Sequence, residues 1–481
     1  MSSILGVLRE AARVKRTSQL RRRVIEAGTT GLVFKIAGTR PQMANSDNSI
    51  DGQLISEILA GRFGQLHRYG LRLQGLCIRG DIDLSNLTWK GALHLKDCYI
   101  QGDINMNYAH VTGEVTFDRS SIGYVSARYA RIEGTFNIRR AELFEGGFGG
   151  AGMVVTGGLN MHHSVFTALP EEKSSYAVRL YRAKVGDLYL YSATVKGGIF
   201  ANAMTVDRHV RLQGGDFHSR IAMGWEQTGP DYRGAIGLGN CNISGSLYVC
   251  TKTLDYFKAD GLDLRGTSCG TIYATEEKLA SCDANLEGLT YDRLQNISAT
   301  EMLHVLELAK EFYSQPYVQL ASYCSTIGDL TTRRRTLLAM ERRITKEQAF
   351  FSRSGLARRI YGSLVGYGYS AWLALVWLLI VTALATVVVK FGTPIFSLKP
   401  PAGSLPGAGQ DLGWSNSLRI VIDNFLPFAS LGMKDTWVAA PTNGIQWMTM
   451  SAFLSLRLLA WAFAALALLS FTHVVRNPRT L

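Results

Sequence analysis

The fold is set by a stretch that reads GDIDLSNLTWK (80–90), GALHLKDCYIQ (91–101) and GDINMNYAHVT (102–112). Glycine opens each block, and apolar residues follow two, four, seven and nine places later. The same pattern returns at GDLYLYSATVK (186–196) and GGIFANAMTVD (197–207). A fixed period of this kind is the signature of a repeat architecture and takes precedence over local propensity.

Each block carries two short segments in which apolar and polar residues alternate, the period of a β-strand. Glycine at the first place permits a tight corner between the segments. One block cannot bury its own apolar face, so we expect two of these 11-residue half-coils to form one coil of a right-handed β-helix, with successive coils joined through their backbones. A leucine-rich repeat would need the pattern LxxLxLxxN, which is not present.

The overall charge is strongly basic, at +13 with an isoelectric point near 9.4. This balance suits an anionic surface such as the inner leaflet of a membrane. The seven cysteines include no CxxC pair, so we expect them to be small apolar residues of the core in a reducing compartment. No cofactor or metal is predicted.

Residues 1–68 are predicted to be a basic arm followed by a short helix that caps the repeats, with Asp51 or Ser49 near its start. Within the arm, Arg21, Arg22 and Arg23 are crowded together. The arm is either an amphipathic helix on anionic lipid or a solvated terminus.

Three further domains follow. The repeat domain covers 69–283. A helical connector covers 284–359, with a turn at Gly328–Asp329, and it ends in a basic cluster that includes Arg358 and Arg359. The remaining residues, 360–481, form a two-span membrane domain.

The first span contains SAWLALVWLLIVTALATVVV (370–389) and the second lies between about 445 and 475; both are long enough to cross a bilayer. Basic residues flank the outer ends of the pair, so the positive-inside rule places both chain termini in the cytoplasm. The loop 391–444 is then extracytoplasmic, and the protein is expected in the inner membrane of a bacterial cell.

Four residues of this membrane domain are candidate membrane or pore residues. Arg457 interrupts the second span, and Asp423 is its natural partner. Lys434 and Asp435 lie between the spans. Alternatively, Arg457 extends to the outer interface and is there solvated.

The repeat domain shows no grouping of residues that predicts catalysis. His162 and His163 are neighbours, and on one strand they would point to opposite faces. Asp81, Asp103 and Asp187 recur after the first glycine of a block, which predicts a role in turns. We therefore expect specific function in the insertions near 144–152, 168–177 and 225–232, or in the membrane hairpin.

Three segments together carry a family resemblance: LRLQGLCIRGDIDLSNLTWKGALHLKDCYI (71–100), QPYVQLASYCSTIGDLTTRRRTLLAMERR (315–343) and VIDNFLPFASLGMKDTW…IQWM (421–448). The chain resembles bacterial membrane proteins that join a pentapeptide-repeat-like β-helix to a carboxy-terminal two-span region. Members of this group are often labelled membrane-associated oxidoreductases, and the resemblance implies that activity. The residues themselves show no Rossmann fingerprint or cysteine cluster that would support it.

The sequence leaves three functions open. The first is a non-enzymatic, membrane-anchored scaffold whose cytoplasmic β-helix binds an unknown protein partner. The second is an oligomeric two-span channel or pore gated by the cytoplasmic domain. The third is the oxidoreductase. In all three the bilayer is a partner and a homo-oligomer is compatible, whereas nucleic acid is not expected.

Overall fold

The computed structural model describes residues 17–36, 39–45, 47–169, 176–219, 234–347, 359, 371–392, 395–398, 412–425, 431, 436–439, 441 and 443–471. The chain divides into two units, Met1–Arg333 and Arg334–Leu481. Each unit is described by itself.

The first unit is built on two parallel sheets, of fifteen and sixteen strands in the described residues. The first sheet contains β1 Val33–Lys35, β3 Leu71–Gln74, β6 Thr88–Trp89, β7 Leu93–Lys96, β10 His110–Val111, β11 Val115–Thr116, β13 Arg131–Ile132, β14 Phe136–Asn137, β16 Val154–Asn160, β19 Lys184–Tyr189, β22 Thr205–Val206, β23 Val210–Arg211, β26 Asn242–Tyr248, β29 Ser268–Tyr273 and β31 Thr290–Gln295.

The second sheet contains β2 Ser49–Asp51, β4 Cys77–Arg79, β5 Ile82–Asp83, β8 Tyr99–Ile100, β9 Ile104–Asn105, β12 Ser121–Ser126, β15 Glu142–Gly149, β17 Val165–Thr167, β18 Val178–Arg179, β20 Thr194–Lys196, β21 Ile199–Phe200, β24 Asp216–His218, β25 Ile236–Gly237, β27 Lys258–Ala259, β28 Leu262–Asp263 and β30 Ala284–Asn285.

The strand register follows the sequence repeat. Leu71 pairs with Leu93, and Leu93 pairs with Val115, so equivalent residues of successive coils are 22 positions apart. This step equals two blocks. The prediction of a solenoid-like stack of parallel strands is therefore confirmed, and the pairing continues to Gln295.

The apolar places of the repeat form the core of the stack. Eight residues occupy these places in the first two blocks, and all of them except the half-buried Leu87 are buried. Larger rings follow in later coils, where Phe117, Phe136 and Phe148 make edge-to-face contacts with centroids 5.6 Å apart. Burying these side chains supplies the free energy that one block alone could not provide.

The glycine-rich stretch at 144–152 is not a surface insertion, contrary to the expectation from sequence. Its first part lies in β15, and residues 146–149 are buried. The register shifts here, because Ile122 pairs with Leu143 while Tyr124 pairs with Gly147. Gly146 and Gly147 have φ of +101° and +74°, so they absorb the extra residues as a bulge. The predicted insertions at 168–177 and 225–232 lie largely or wholly outside the described residues.

Helices cover the ends of the stack. Residues 17–30 form α1, and α2 spans Gly52–Leu59. Asp51 is the N-cap of α2, where its side chain accepts a hydrogen bond from the Gln53 N–H, as predicted. After the last strands come α3 Glu276–Ser281, α4 Ala299–Leu308 and α5 Ser314–Thr326. The next helix, α6 Leu330–Glu347, begins at the end of this unit, and most of its residues belong to the second unit. The predicted turn between α5 and α6 is confirmed, since Gly328 has φ +79°.

The second unit contains the helices α7 Ala371–Phe391, α8 Trp414–Phe425 and α9 Gly444–Phe471, with an antiparallel strand pair, β32 Phe396–Leu398 and β33 Trp437–Ala439. Stretches of α7 and α9, Trp372–Phe391 and Gly444–Leu468, are long and apolar enough to cross a membrane, with mean hydropathies of 2.6 and 1.8. They pack on each other and on α8 through a core that includes Phe425, Phe453 and Phe463.

Candidate functional site

One corner of the solenoid brings charged and aromatic side chains of successive coils into a row. At this corner the residues 97, 119, 140, 163 and 192 all adopt a left-handed conformation, with φ between +51° and +58°. Each of them donates its backbone N–H to the carbonyl of the residue that begins the same corner in the next coil, at 2.8–3.1 Å. The repeat therefore stacks these side chains along one edge.

We call the residues Asp97, Asp118, Arg119, Arg139, Arg140, His162 and His163 the basic corner. Two ion pairs organise it. Arg119 donates from Nε and Nη2 to the two oxygens of Asp97, at 2.6 and 2.7 Å. Arg139 makes a similar two-pronged contact with Asp118, with Nε at 3.1 and 3.0 Å from the two oxygens.

The carboxylates of these two pairs are almost completely buried. The side chains of Asp97 and Asp118 are 6% and 7% exposed, whereas those of Arg119 and Arg139 are 47% and 39% exposed. Hydrogen bonds from Arg119 lower the pKa of Asp97, and the same contact raises the pKa of Arg119. The buried carboxylates therefore hold the two guanidinium groups on the side of the protein interior, and the other side of each group faces solvent.

The two histidines lie at this corner and not along a strand, so the expectation that they point to opposite faces is wrong. Their Nδ1 atoms are 2.9 Å apart. The ring of His162 stacks on Tyr191, with centroids 4.4 Å apart and planes at 10°. Burial lowers the pKa of His162 to about 4, with further lowering from His163 and Arg139, so its imidazole is neutral at pH 7.

The basic corner borders an open cleft of about 290 Å³ lined by Asp118, Arg119, Arg139, Arg140 and His162. A second cleft, of about 120 Å³, lies where the last coil meets α4 and α5. Leu286, Leu306 and Tyr317 form part of its wall, and Asp283 pairs with Lys310 at 2.7 Å. In the described part of the chain, no group of three His, Cys, Asp or Glu side chains could hold a metal ion.

The recurring carboxylates after the first glycine accept backbone hydrogen bonds, as expected, but from the next coil and not from their own turn. Asp81 accepts from the N–H of Asp103, and Asp103 accepts from that of Tyr124, both at 2.9 Å. They therefore join coils together.

The predicted membrane-surface arginines are placed only in part. Arg21 lies 3.6 Å from Glu57, and Arg23 lies over the ring of Phe34 at 4.9 Å, so both contact the solenoid end. Arg22 is exposed on α1. Arg359 donates to the Thr345 carbonyl at 3.5 Å, and Arg358 lies outside the described residues.

The predicted pair of Arg457 and Asp423 is not formed among the described residues. Asp423 is buried and accepts the Leu431 N–H at 2.7 Å. The guanidinium of Arg457 lies over the ring of Trp461, with its carbon 4.7 Å from the centroid. Lys434 and Asp435 lie outside the part of the chain that the structure describes.

All seven cysteines are buried, as the sequence predicts. Burial raises the pKa of Cys98, Cys241, Cys269 and Cys282 to about 12. The thiolate is the reactive form of cysteine, so these side chains act as packing residues and are poor nucleophiles.

Comparisons with protein-family models, with curated proteins and with solved structures found no match for this chain. A functional proposal for it therefore depends on its own geometry. Sequence reasoning does not find the basic corner, because equivalent positions of successive coils hold Asp, Arg or His and not one repeated residue. The available signal is the step of about 22 residues that separates the pairs 96–97, 118–119, 139–140 and 162–163.

Proposed function

We propose that the protein is a membrane-anchored scaffold whose solenoid, a right-handed β-helix in the bacterial cytoplasm, presents binding surfaces to a protein partner. The observation that carries this proposal is the exposed apolar surface of α7 and α9. Only 28% of an apolar 18-residue window in each helix is buried, and Leu379 and Leu458 are 69% and 66% exposed. Such a surface is unfavourable in water and favourable in hydrocarbon.

The solenoid suits the binding part of this role. Its interior is occupied by apolar side chains that pack from coil to coil, so ligands have access to the outer faces, corners and ends. A right-handed path is the one that parallel strands connected within one sheet almost always take. The basic residues that flank the spans support a cytoplasmic solenoid through the positive-inside rule.

The experiment is a single substitution in α7. Leu379→Arg places a charge at a position that is 69% exposed. If α7 were a helix of a water-soluble protein, the change would be harmless. In a membrane it costs about 2.5–3.5 kcal/mol near the centre of a span. We expect the wild type to stay in the membrane fraction after alkaline extraction and the variant to lose membrane insertion.

Leu308→Arg is the matched control, because Leu308 is 56% exposed at the end of α4 in the first unit. It should fractionate like the wild type. Release of the wild type by alkaline extraction, or identical behaviour of Leu379→Arg and Leu308→Arg, would overturn the anchoring proposal.

A two-span channel is the second candidate, favoured by one observation in α9. The Nε atom of Arg457 is buried without a hydrogen-bond partner in the described part of the chain. A cation within a span is costly, and such residues often mark a pathway for ions or substrates. The test is the ionic current through a bilayer that contains the reconstituted protein. A current that is smaller with Arg457→Gln would support the channel, and the absence of any current at every voltage would contradict it.

A further inference from the structure

The basic corner has hydrogen-bond donors that remain unused in the described part of the chain. Arg119 and Arg139 each engage their buried carboxylate through Nε and Nη2. This arrangement leaves the Nη1 hydrogens of both side chains without a protein acceptor in the described residues. Because the buried carboxylates fix both guanidinium groups, little side-chain entropy remains to be lost when a ligand binds.

Arg140 adds a positive charge that no carboxylate offsets among the described ion pairs. It is exposed, and its φ of +54° holds it at the tip of the corner beside the same cleft. Against Asp97 and Asp118, the three arginines leave a net positive charge at the cleft. His162 contributes a neutral imidazole at pH 7.

We propose that this cleft binds a phosphate group, either free or on a small phosphate monoester. Two features favour phosphate over a carboxylate. A carboxylate is satisfied by a single guanidinium fork, whereas here donors approach from three separate arginines. Phosphate offers at least three acceptor oxygens, which match that number of arginines, and its negative charge is opposite in sign to the net charge of the cleft. The cleft of about 290 Å³ is open to solvent, so the group to which the phosphate is attached can extend out of it.

The proposal is independent of membrane anchoring, since the ligand chemistry is set by the solenoid alone. Two sources would supply the group: a soluble phosphate compound or the headgroup of an acidic phospholipid. Both present the same oxygens to the corner, so the experiment has an arm for each.

The test uses the full chain in phosphatidylcholine nanodiscs and measures inorganic phosphate binding by calorimetry, at constant ionic strength against chloride. A second arm replaces part of the phosphatidylcholine by phosphatidic acid and follows the thermal unfolding of the solenoid. The variant is Arg140→Asn. Asparagine tolerates positive φ well, so this change removes the cation without backbone strain.

Arg182→Asn is the matched control. Arg182 also has a positive φ, +55°, but it lies at the other corner, over the ring of Tyr181. We expect saturable binding in the wild type and in Arg182→Asn, in the phosphate arm or in the phosphatidic acid arm, with a dissociation constant raised about tenfold or more in Arg140→Asn.

The arm that responds identifies the source of the phosphate. The proposal is overturned if neither arm gives a saturable response with the wild type. It is equally overturned if Arg140→Asn and Arg182→Asn weaken binding to the same extent, because that result would indicate general charge attraction.

Discussion

Removing one ring from the core of the solenoid tests whether the coils are held together as described. Phe136 is fully buried and makes edge-to-face contacts with Phe117 and Phe148, both at 5.6 Å. Phe136→Ala therefore loses the transfer free energy of the ring, about 1.5–3 kcal/mol, and two aromatic contacts of about 0.5–1.5 kcal/mol each. With the cost of the cavity added, the expected loss in the free energy of unfolding lies in the upper part of the range of about 3–5 kcal/mol that is usual for Phe→Ala in a core.

For a domain of this size, a loss of about 4 kcal/mol lowers Tm by roughly 8 °C. Thermal unfolding of the full chain in detergent, followed by near-ultraviolet circular dichroism, measures the shift. Because each coil contacts only its neighbours, hydrogen exchange should also accelerate in the coils around Phe136 and much less near Thr290–Gln295.

Phe63→Ala is the control, since Phe63 is 36% exposed and lies outside the strands. It should cost about 1 kcal/mol or less. If Phe136→Ala shifts Tm no more than this control does, the stacked apolar core is not what stabilises the solenoid.

The remaining predictions concern a corner, a cap, a titrating group and the thiols. Gly70→Ala should prevent stable folding, seen as loss of detergent-extractable protein from the membrane fraction, because φ is +73° and the new Cβ would lie 1.8 Å from the Ala92 carbonyl oxygen. Ser298→Ala should cost about 1 kcal/mol in denaturant unfolding, since it breaks the capping box with Glu301. The pKa of His162 falls from 6.5 to about 4 on folding, so the unfolded chain binds the proton at a higher pH than the folded chain does. The free energy of unfolding therefore decreases as pH drops from 6.5 towards 4, and in His162→Gln it should depend less on pH over that range. Under native conditions a maleimide should modify few of the seven thiols, and all of them after unfolding.

The repeat made the solenoid predictable, because one period fixes strands, corners and core together. The register of Leu71, Leu93 and Val115 repeats the sequence step, and the cap of α2 follows from Asp51. Composition alone likewise identified the two apolar helices.

Side-chain chemistry at the corners was much less predictable. A strand period predicts which face a residue occupies, but it does not apply where the chain turns. It therefore places His162 and His163 on opposite faces, whereas their Nδ1 atoms are 2.9 Å apart. The glycine-rich stretch shows the same limit, because Gly146 and Gly147 look like a loop and instead form a bulge within β15. In both places the local conformation depends on contacts with the neighbouring coil, which the period of a single strand does not describe.

The most direct test of a membrane-anchored cytoplasmic solenoid is cysteine labelling in intact cells. The buried native thiols give a low background. New cysteines go to two exposed positions, Leu398→Cys between the spans and Tyr129→Cys in the solenoid, which are 52% and 60% exposed. A membrane-impermeant maleimide should label Leu398→Cys directly and Tyr129→Cys only after the cells are permeabilised. Direct labelling of Tyr129→Cys in intact cells would contradict the account.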